Sequence, residues 1–287
     1  MRLVSYQEGA GVAAGVQSGE QVVALSALDA PARSVRGLLE ALDSQGLREL
    51  GDRAAAHSGE RLELADLALR APIPDAQKLI CIGLNYRDHA EEAGQEIPAA
   101  PMWFAKFANS LIGSGEEVVL PAAHHEYVDY EAELALVIGR TAKRVSPEDA
   151  LSYIAGAMPF NDVSARDLQL QNPLWTSGKA IDTFAPCGPA LVTLDETGDL
   201  GSLGLRTRVN GETLQQGTTA DLIFGPAELV AWLSRTITLL PGDIIATGTP
   251  AGVGAAQGRF LRDGDVVDVE IDGLGTLSNP VRAESPQ

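Results

Sequence analysis

Residues 130–139 read YEAELALVIG, which puts two carboxylates two residues apart inside a run that otherwise reads as buried. A strand alternates its side chains between faces, so Glu131 and Glu133 project to one side while Ala132, Leu134, Leu136 and Ile138 take the other. Two anions held side by side against a core repel each other and lose hydration, so a fold that keeps both charged has to bring a counter-charge. A metal ion, a basic side chain and plain water each meet that need. The competing expectation is an edge strand whose glutamates face solvent. The remainder of the chain has to decide between them.

With 287 residues and 45% hydrophobic composition, the chain suits one large domain, or a large one with a small appendage. Its formal net charge of -18 argues against an extended nucleic-acid footprint and against an anionic membrane surface, since both need clustered Lys and Arg. Small anionic substrates stay open where local cations receive them. Cys81 and Cys187 are far apart and form no CxxC, so both read as small buried hydrophobes of a reducing compartment. The opening MRLVSYQEGAG carries no apolar signal segment, and no run approaches membrane-spanning length; the expectation is a soluble cytoplasmic protein.

Short strands are expected around residues 3–6, 11–16 and 21–25, followed by a helix capped by Ser34 with Val35, Leu38, Leu39 and Leu42 on one face, and a second helix over 47–57. The segment APIPDAQ carries two prolines and no periodicity, which sets a boundary between a small N-terminal module, 1–72, and a larger domain, 73–287. From Lys78, KLICIG is a buried strand running into a helix that carries His89 and Glu92 on one face. SPEDALSYIAGAM reads as a helix capped by Ser146 with Pro147 first, and GKAIDTFAPCGPALVTL as an extended segment presenting Lys179 and Asp182. Asn210-Gly211 marks a hairpin, a helix is expected over 226–238, and DVVDVEIDGLGTL reads as a closing hairpin. Strands dominate after Lys78 without regular βαβ alternation, which gives an α+β, mainly β, fold class.

Several familiar chemistries lack their signatures. TGTPAGVG has no Lys-Ser/Thr pair for a phosphate loop, DGDVVDVEIDG lacks the glutamate of a calcium loop, and neither GxSxG nor HExxH occurs. What remains is a carboxylate set, Glu131, Glu133 and Asp162, the last at a strand-to-helix junction where it could equally cap a helix. Three carboxylates without His or Cys suit a hard cation such as Mg2+ or Mn2+ better than zinc. His89 followed by Glu92, and the cations Arg166 and Lys179, read more readily as surface charges when taken alone. Lys106, in WFAKFANS, is a site candidate whose aromatic setting packing around its stem explains as well.

The strings GLNYRDHAEE, YEAELALVIG, NDVSARDLQ, GKAIDTFAPCGP and GDIIATGTPAGVG, in this order, resemble the fumarylacetoacetate hydrolase superfamily over residues 78–281. The resemblance implies a mixed β-sandwich roll preceded by a small α+β module, usually in a homodimer. It implies Glu131, Glu133 and Asp162 as ligands of Mg2+, with Mn2+ or Ca2+ as alternatives. It makes His89 and Glu92 a general-base dyad with Lys179 beside them, and gives Arg166, Gln169 and Thr249 to the substrate.

The leading expectation is a Mg2+-dependent hydrolase that cleaves a C–C bond of a 2,4-dioxo acid of acylpyruvate type through a pyruvate enolate. The alternative is decarboxylation or keto–enol tautomerisation of oxaloacetate or a related 2-oxo acid, because GKAIDTFAPCGP and the following NG hairpin look closest to that branch. A third, of another class, is a non-catalytic metal-binding protein that has kept the cage for stability.

Overall fold

A computed structural model of the chain describes residues 1–284 and puts the strand Ala132–Ile138 in the middle of an 11-stranded sheet, between Ile154–Asn161 and Ile244–Ala246. The edge-strand alternative therefore falls. All seven residues of this strand are buried, and they face two different cores. Ala132, Leu134, Leu136 and Ile138 pack against Leu205, Val269, Ile271 and Leu277 of the second sheet and against Leu229, Val230 and Leu233 of the helix Pro226–Ser234. Ala135 and Val137 join Leu38, Leu39, Leu47 and Leu50 of the two N-terminal helices. The face that carries Glu133 is thus apolar for the rest of its length, and the ionic site lies at the end of a core.

The large sheet runs Leu62–Glu63, Gln21–Ala24, Gly11–Ser18, Arg2–Glu8, Leu191–Thr193, Ile154–Asn161, Ala132–Ile138, Ile244–Ala246, Leu79–Gly83, Met102–Lys106, with Leu69–Arg70 paired to Arg2–Glu8. The second sheet orders Glu212–Thr218, Gly204–Val209, Val266–Ile271, Gly275–Ala283, Val118–Leu120. Two packed sheets flanked by short helices match the expected mainly-β α+β class. The first 72 residues do not close on themselves: Arg2 and Leu3 pair with Val192 and Leu191, so one sheet crosses the boundary placed at APIPDAQ. Asn210 and Gly211 both have positive φ, 53° and 82°, and form the expected hairpin turn between Gly204–Val209 and Glu212–Thr218.

Three local expectations need correction. The helix read in SPEDALSYIAGAM is only a 3-10 turn, Ala150–Tyr153; Ser146 Oγ does accept from the Asp149 N–H (3.3 Å), but IAGAM belongs to the strand Ile154–Asn161. Register with Ala132–Ile138 overrides local capping, because eight nearly continuously buried residues gain more from a central sheet position than from helical propensity. Lys179 is not in an extended segment but ends the one-turn helix Thr176–Lys179. The helix expected over 226–238 stops at Ser234, whose Oγ accepts from the Val145 N–H (3.0 Å). Both cysteines are buried and free, as read.

Gly156 gives the strand next to Glu133 its close fit, since a Cβ there would fall against the Val192 carbonyl. Gly156→Ala is expected to lower stability by about 1–3 kcal/mol through overpacking, read as a drop in the thermal unfolding midpoint.

Candidate active site

The strand Ala132–Ile138 delivers Glu133, the residue before it delivers Glu131, and the neighbouring strand Ile154–Asn161 ends one residue before Asp162, whose N–H donates to Glu131 O (2.9 Å). One carboxylate oxygen from each of Glu131, Glu133 and Asp162 lies within 4.8 Å of the others, and all three side chains are buried. Asp162 thus joins the glutamates by its side chain and caps no helix.

Cations meet these anions directly. Lys179 Nζ donates to Glu131 Oε2 (2.8 Å) and Asp162 Oδ2 (2.9 Å). Arg166 Nη1 reaches Glu131 Oε1 (2.7 Å) and Gln169 Oε1 (2.9 Å), while its Nε and Nη2 reach Asp129 Oδ2 (2.8 and 2.7 Å). Glu133 has no such cation; its Oε2 accepts from the Gly248 N–H (2.8 Å). That contact needs glycine at 248, where φ is 102° and a Cβ would press on Asn85.

The titration of the two glutamates follows from these partners. Burial by itself would push the Glu131 carboxyl up, but Lys179 and Arg166 outweigh it and hold the group at about 2. Burial, then the charges of Asp162 and Glu131, push Glu133 well above the carboxylate range. Burial would depress Lys179, yet Asp162 and Glu131 raise it, so it stays an ammonium. Four buried carboxylates, Asp129, Glu131, Glu133 and Asp162, face three largely buried cations, Lys106, Arg166 and Lys179. The deficit of one positive charge adds to burial in favouring the Glu133 proton; a divalent cation would reverse it to an excess of one.

The donor set fits such a cation. Two oxygens on one ion can be no further apart than twice the metal–oxygen distance, about 4.2 Å for Mg2+ and about 5 Å for Ca2+. The three oxygens, each within 4.8 Å of the other two, lie near enough for one such ion to gather them with small side-chain shifts.

His89 and Glu92 share a face of the short helix Arg87–Glu92, with His89 Nδ1 3.1 Å from Glu92 Oε2. Glu92 Oε1 also accepts from the Gly252 N–H (2.9 Å), tying this helix to the glycine-rich loop. Thr249 Oγ1 accepts from Gln215 Nε2 (2.9 Å). His89, Glu92, Glu131, Glu133, Asp162, Arg166, Gln169, Lys179 and Thr249 all line one cleft of about 930 Å³. The nine residues singled out in the sequence therefore meet in one place.

Three supporting residues carried too little signal in the sequence. Lys106 is buried, and its three ammonium protons go to Asp162 Oδ1, Val163 O (3.0 Å) and Phe184 O (2.6 Å). It fixes the Asp162 oxygen opposite the one bound by Lys179. Asp129, besides holding Arg166, accepts from the N–H groups of Gly254 (2.6 Å) and Ala255 (2.9 Å). Gln215 accepts from the Ala132 N–H (2.9 Å) and the Thr207 hydroxyl (2.7 Å), joining the glutamate strand to the second sheet. Of the two not singled out in the sequence, Asp129 has a signal, its place two residues before Glu131; Gln215 lies in a hairpin strand and has none.

A family model described as fumarylacetoacetate (FAA) hydrolase C-terminal matches residues 78–282. The chain is 41% identical to an oxaloacetate tautomerase of Xenopus laevis over 98% of this chain and 90% of that protein. Among solved structures, a fumarylacetoacetate hydrolase from Exiguobacterium antarcticum superposes with a TM-score of 0.85 at 33% identity, covering 99% of this chain and 100% of that one. A maleylpyruvate hydrolase from Sphingobium, in complex with manganese(II) and pyruvate, does so at 0.84 and 32%, with the same coverage. The Xenopus relative and its human counterpart, 43% identical over 80% of this chain and 74% of that one, are named as mitochondrial proteins. That overturns the cytoplasmic expectation, which rested on a missing apolar signal segment, a criterion for secretion that does not bear on mitochondrial import.

Replacing Lys106 with Met should weaken divalent-metal binding roughly 10–100-fold, the scale for losing an outer partner of a ligand. Isothermal titration with Mg2+ or Mn2+ measures it, and an unchanged affinity would remove Lys106 from the site.

Proposed function

We propose, from the premise that this chain belongs to the fumarylacetoacetate hydrolase family, that it is a Mg2+- or Mn2+-dependent keto–enol tautomerase of oxaloacetate or a closely related 2-oxo acid. The observation that carries this reading is its 41% identity, over nearly the whole chain, with a protein named oxaloacetate tautomerase. This moves the weight from C–C cleavage of a 2,4-dioxo acid, the leading expectation above, to its alternative. Cleavage remains a second reading, favoured by the 32% identical maleylpyruvate hydrolase. The non-catalytic reading lapses: the relatives are named as enzymes, and base, lysine and carboxylates are all present.

Glu131, Glu133 and Asp162 would hold the ion, which when bound supplies Lewis acidity toward the oxygens of a 2-oxo acid. Arg166 and Gln169 would receive the substrate's carboxylate, and Thr249 a second oxygen or a water. With Nδ1 engaged by Glu92, His89 keeps Nε2 free to take a proton from C3 and to return it there. The C3–H bond breaks, the C2–C3 double bond forms, and the carbonyl oxygen gains a proton; the reverse sequence gives ketonisation. Lys179, held cationic between two carboxylates, would oppose the negative charge that grows on that oxygen.

Residues 73–287 would form the catalytic domain and 1–72 a module fused to it through the shared sheet. A homodimer also belongs to the proposal: Met102 and Trp103, exposed on the edge strand Met102–Lys106, leave apolar surface on both sides of an edge to which a second copy could add.

Adding enol oxaloacetate to the Mg2+-loaded protein should speed loss of the enol absorbance above the buffer rate without release of carbon dioxide. A chelator should abolish the acceleration, and Mg2+ or Mn2+ should restore it. Steady carbon dioxide release would point to a decarboxylase instead, and acetate from acetylpyruvate to a hydrolase. His89→Ala should retain metal binding while lowering kcat about 10²–10⁴-fold.

A further inference from the structure

The cleft is larger and more divided than oxaloacetate requires. A volume near 930 Å³ lies at the upper end of the range for drug-sized ligands, whereas oxaloacetate has nine heavy atoms. Its two cations and three clustered carboxylates gather at one end. Beyond them the wall is Ile82, Gly83, Phe104 and Trp175, with Leu170 and Ile97 toward the mouth.

Phe104 and Trp175 meet edge to face, with centroids 5.8 Å apart at 71°. The Phe104 ring lies 5.3 Å from Lys179 Nζ, so the aromatic wall begins where the charged end stops. Gly83 makes this wall possible, because a Cβ at that position would overlap the Trp175 ring.

Charge points the same way. Among the described lining residues the only Lys and Arg are Lys179 and Arg166, and both are already held by carboxylates at the charged end. The other ionisable lining residues are Glu131, Glu133 and Asp162 of the charged end, with His89, Glu92 and Glu96. A second carboxylate carried far from the reacting carbons would find no cation there, while an apolar group would find aromatic surface.

Resting on the tautomerase reading, we propose that this site also accepts monoanionic 2-oxo acids bearing an aryl or branched alkyl group at C3, with Phe104 and Trp175 as the residues that select it. The reaction is an isomerisation and needs no co-reactant: the C3–H bond breaks, the C2–C3 double bond forms, and the proton lost from carbon is balanced by one gained at the C2 oxygen. An aryl group on C3 would leave the chelating oxygens at the charged end and lie against the aromatic wall.

Phenylpyruvate is the probe, with oxaloacetate in parallel on the Mg2+-loaded full chain, each followed as enol loss. Wild type should accelerate ketonisation of both. Trp175→Ala should lower the ratio of kcat/KM for phenylpyruvate to that for oxaloacetate by roughly tenfold or more. Gly83→Ala, which forces the Trp175 ring to move, should shift the ratio in the same direction, and circular dichroism establishes that each variant is folded. Turnover of oxaloacetate but not phenylpyruvate overturns the proposal, as does a ratio unchanged in both folded variants. Turnover of phenylpyruvate alone sinks the oxaloacetate reading and leaves the apolar subsite standing; turnover of neither overturns both.

Discussion

An ammonium shared by two buried carboxylates, Lys179 between Glu131 and Asp162, is the contact on which the geometry of the cleft depends. Burial alone would push Glu131 towards its neutral form and Lys179 likewise, and their pairing, with Arg166 on Glu131 and Asp162 on Lys179, holds both charged. Arg166 extends the network to Asp129, and Lys106 anchors the far oxygen of Asp162. Glu133 is left without a cationic partner, and its preference for a proton marks the charge the cluster lacks. A divalent ion held by the three carboxylates would supply that charge.

The scaffold around this network is rigid by construction. Glu131 and Glu133 lie at the start of a strand that is central in its sheet and packed on both faces, so their positions follow from the two cores and hardly from solvent-exposed loops. Gln215 bridges that strand to the second sheet and to Thr249, and Gly248 brings a backbone N–H to Glu133. The His–Glu pair comes from elsewhere. His89 and Glu92 stand on a six-residue helix at the cleft wall, joined to the glycine-rich loop through the Gly252 N–H. The carboxylate cluster and the His–Glu pair thus stand on separate elements, a central strand and a short helix.

Much of this was legible in residue order because periodicity encodes it directly. Alternation put Glu131 and Glu133 on one face, the i, i+3 spacing paired His89 with Glu92, and Asn210-Gly211 fixed a hairpin. The sequence was less informative where long-range register competes with local preference. The Ser146 cap formed its hydrogen bond, yet the residues after it joined a strand because a partner strand of matching length lay ready. Lys106 read as a site candidate that packing around its stem explained as well, since the three oxygens that hold it come from positions 56 to 78 residues away.

The sequence by itself determined which groups exist for chemistry: three hard carboxylates, a His-Glu pair, and cations in motifs shared by a family. It could do so because neighbouring residues share one backbone geometry, so spacing of two or three maps onto a face. Only the tertiary structure decided that Asp162 joins the glutamates, that Lys106 and Asp129 hold the site from behind, and that Trp175 lies over Gly83 to make one end of the cleft apolar. Those relations join segments distant along the chain, and burial of charge and of aromatic surface, neither of which spacing encodes, selects them.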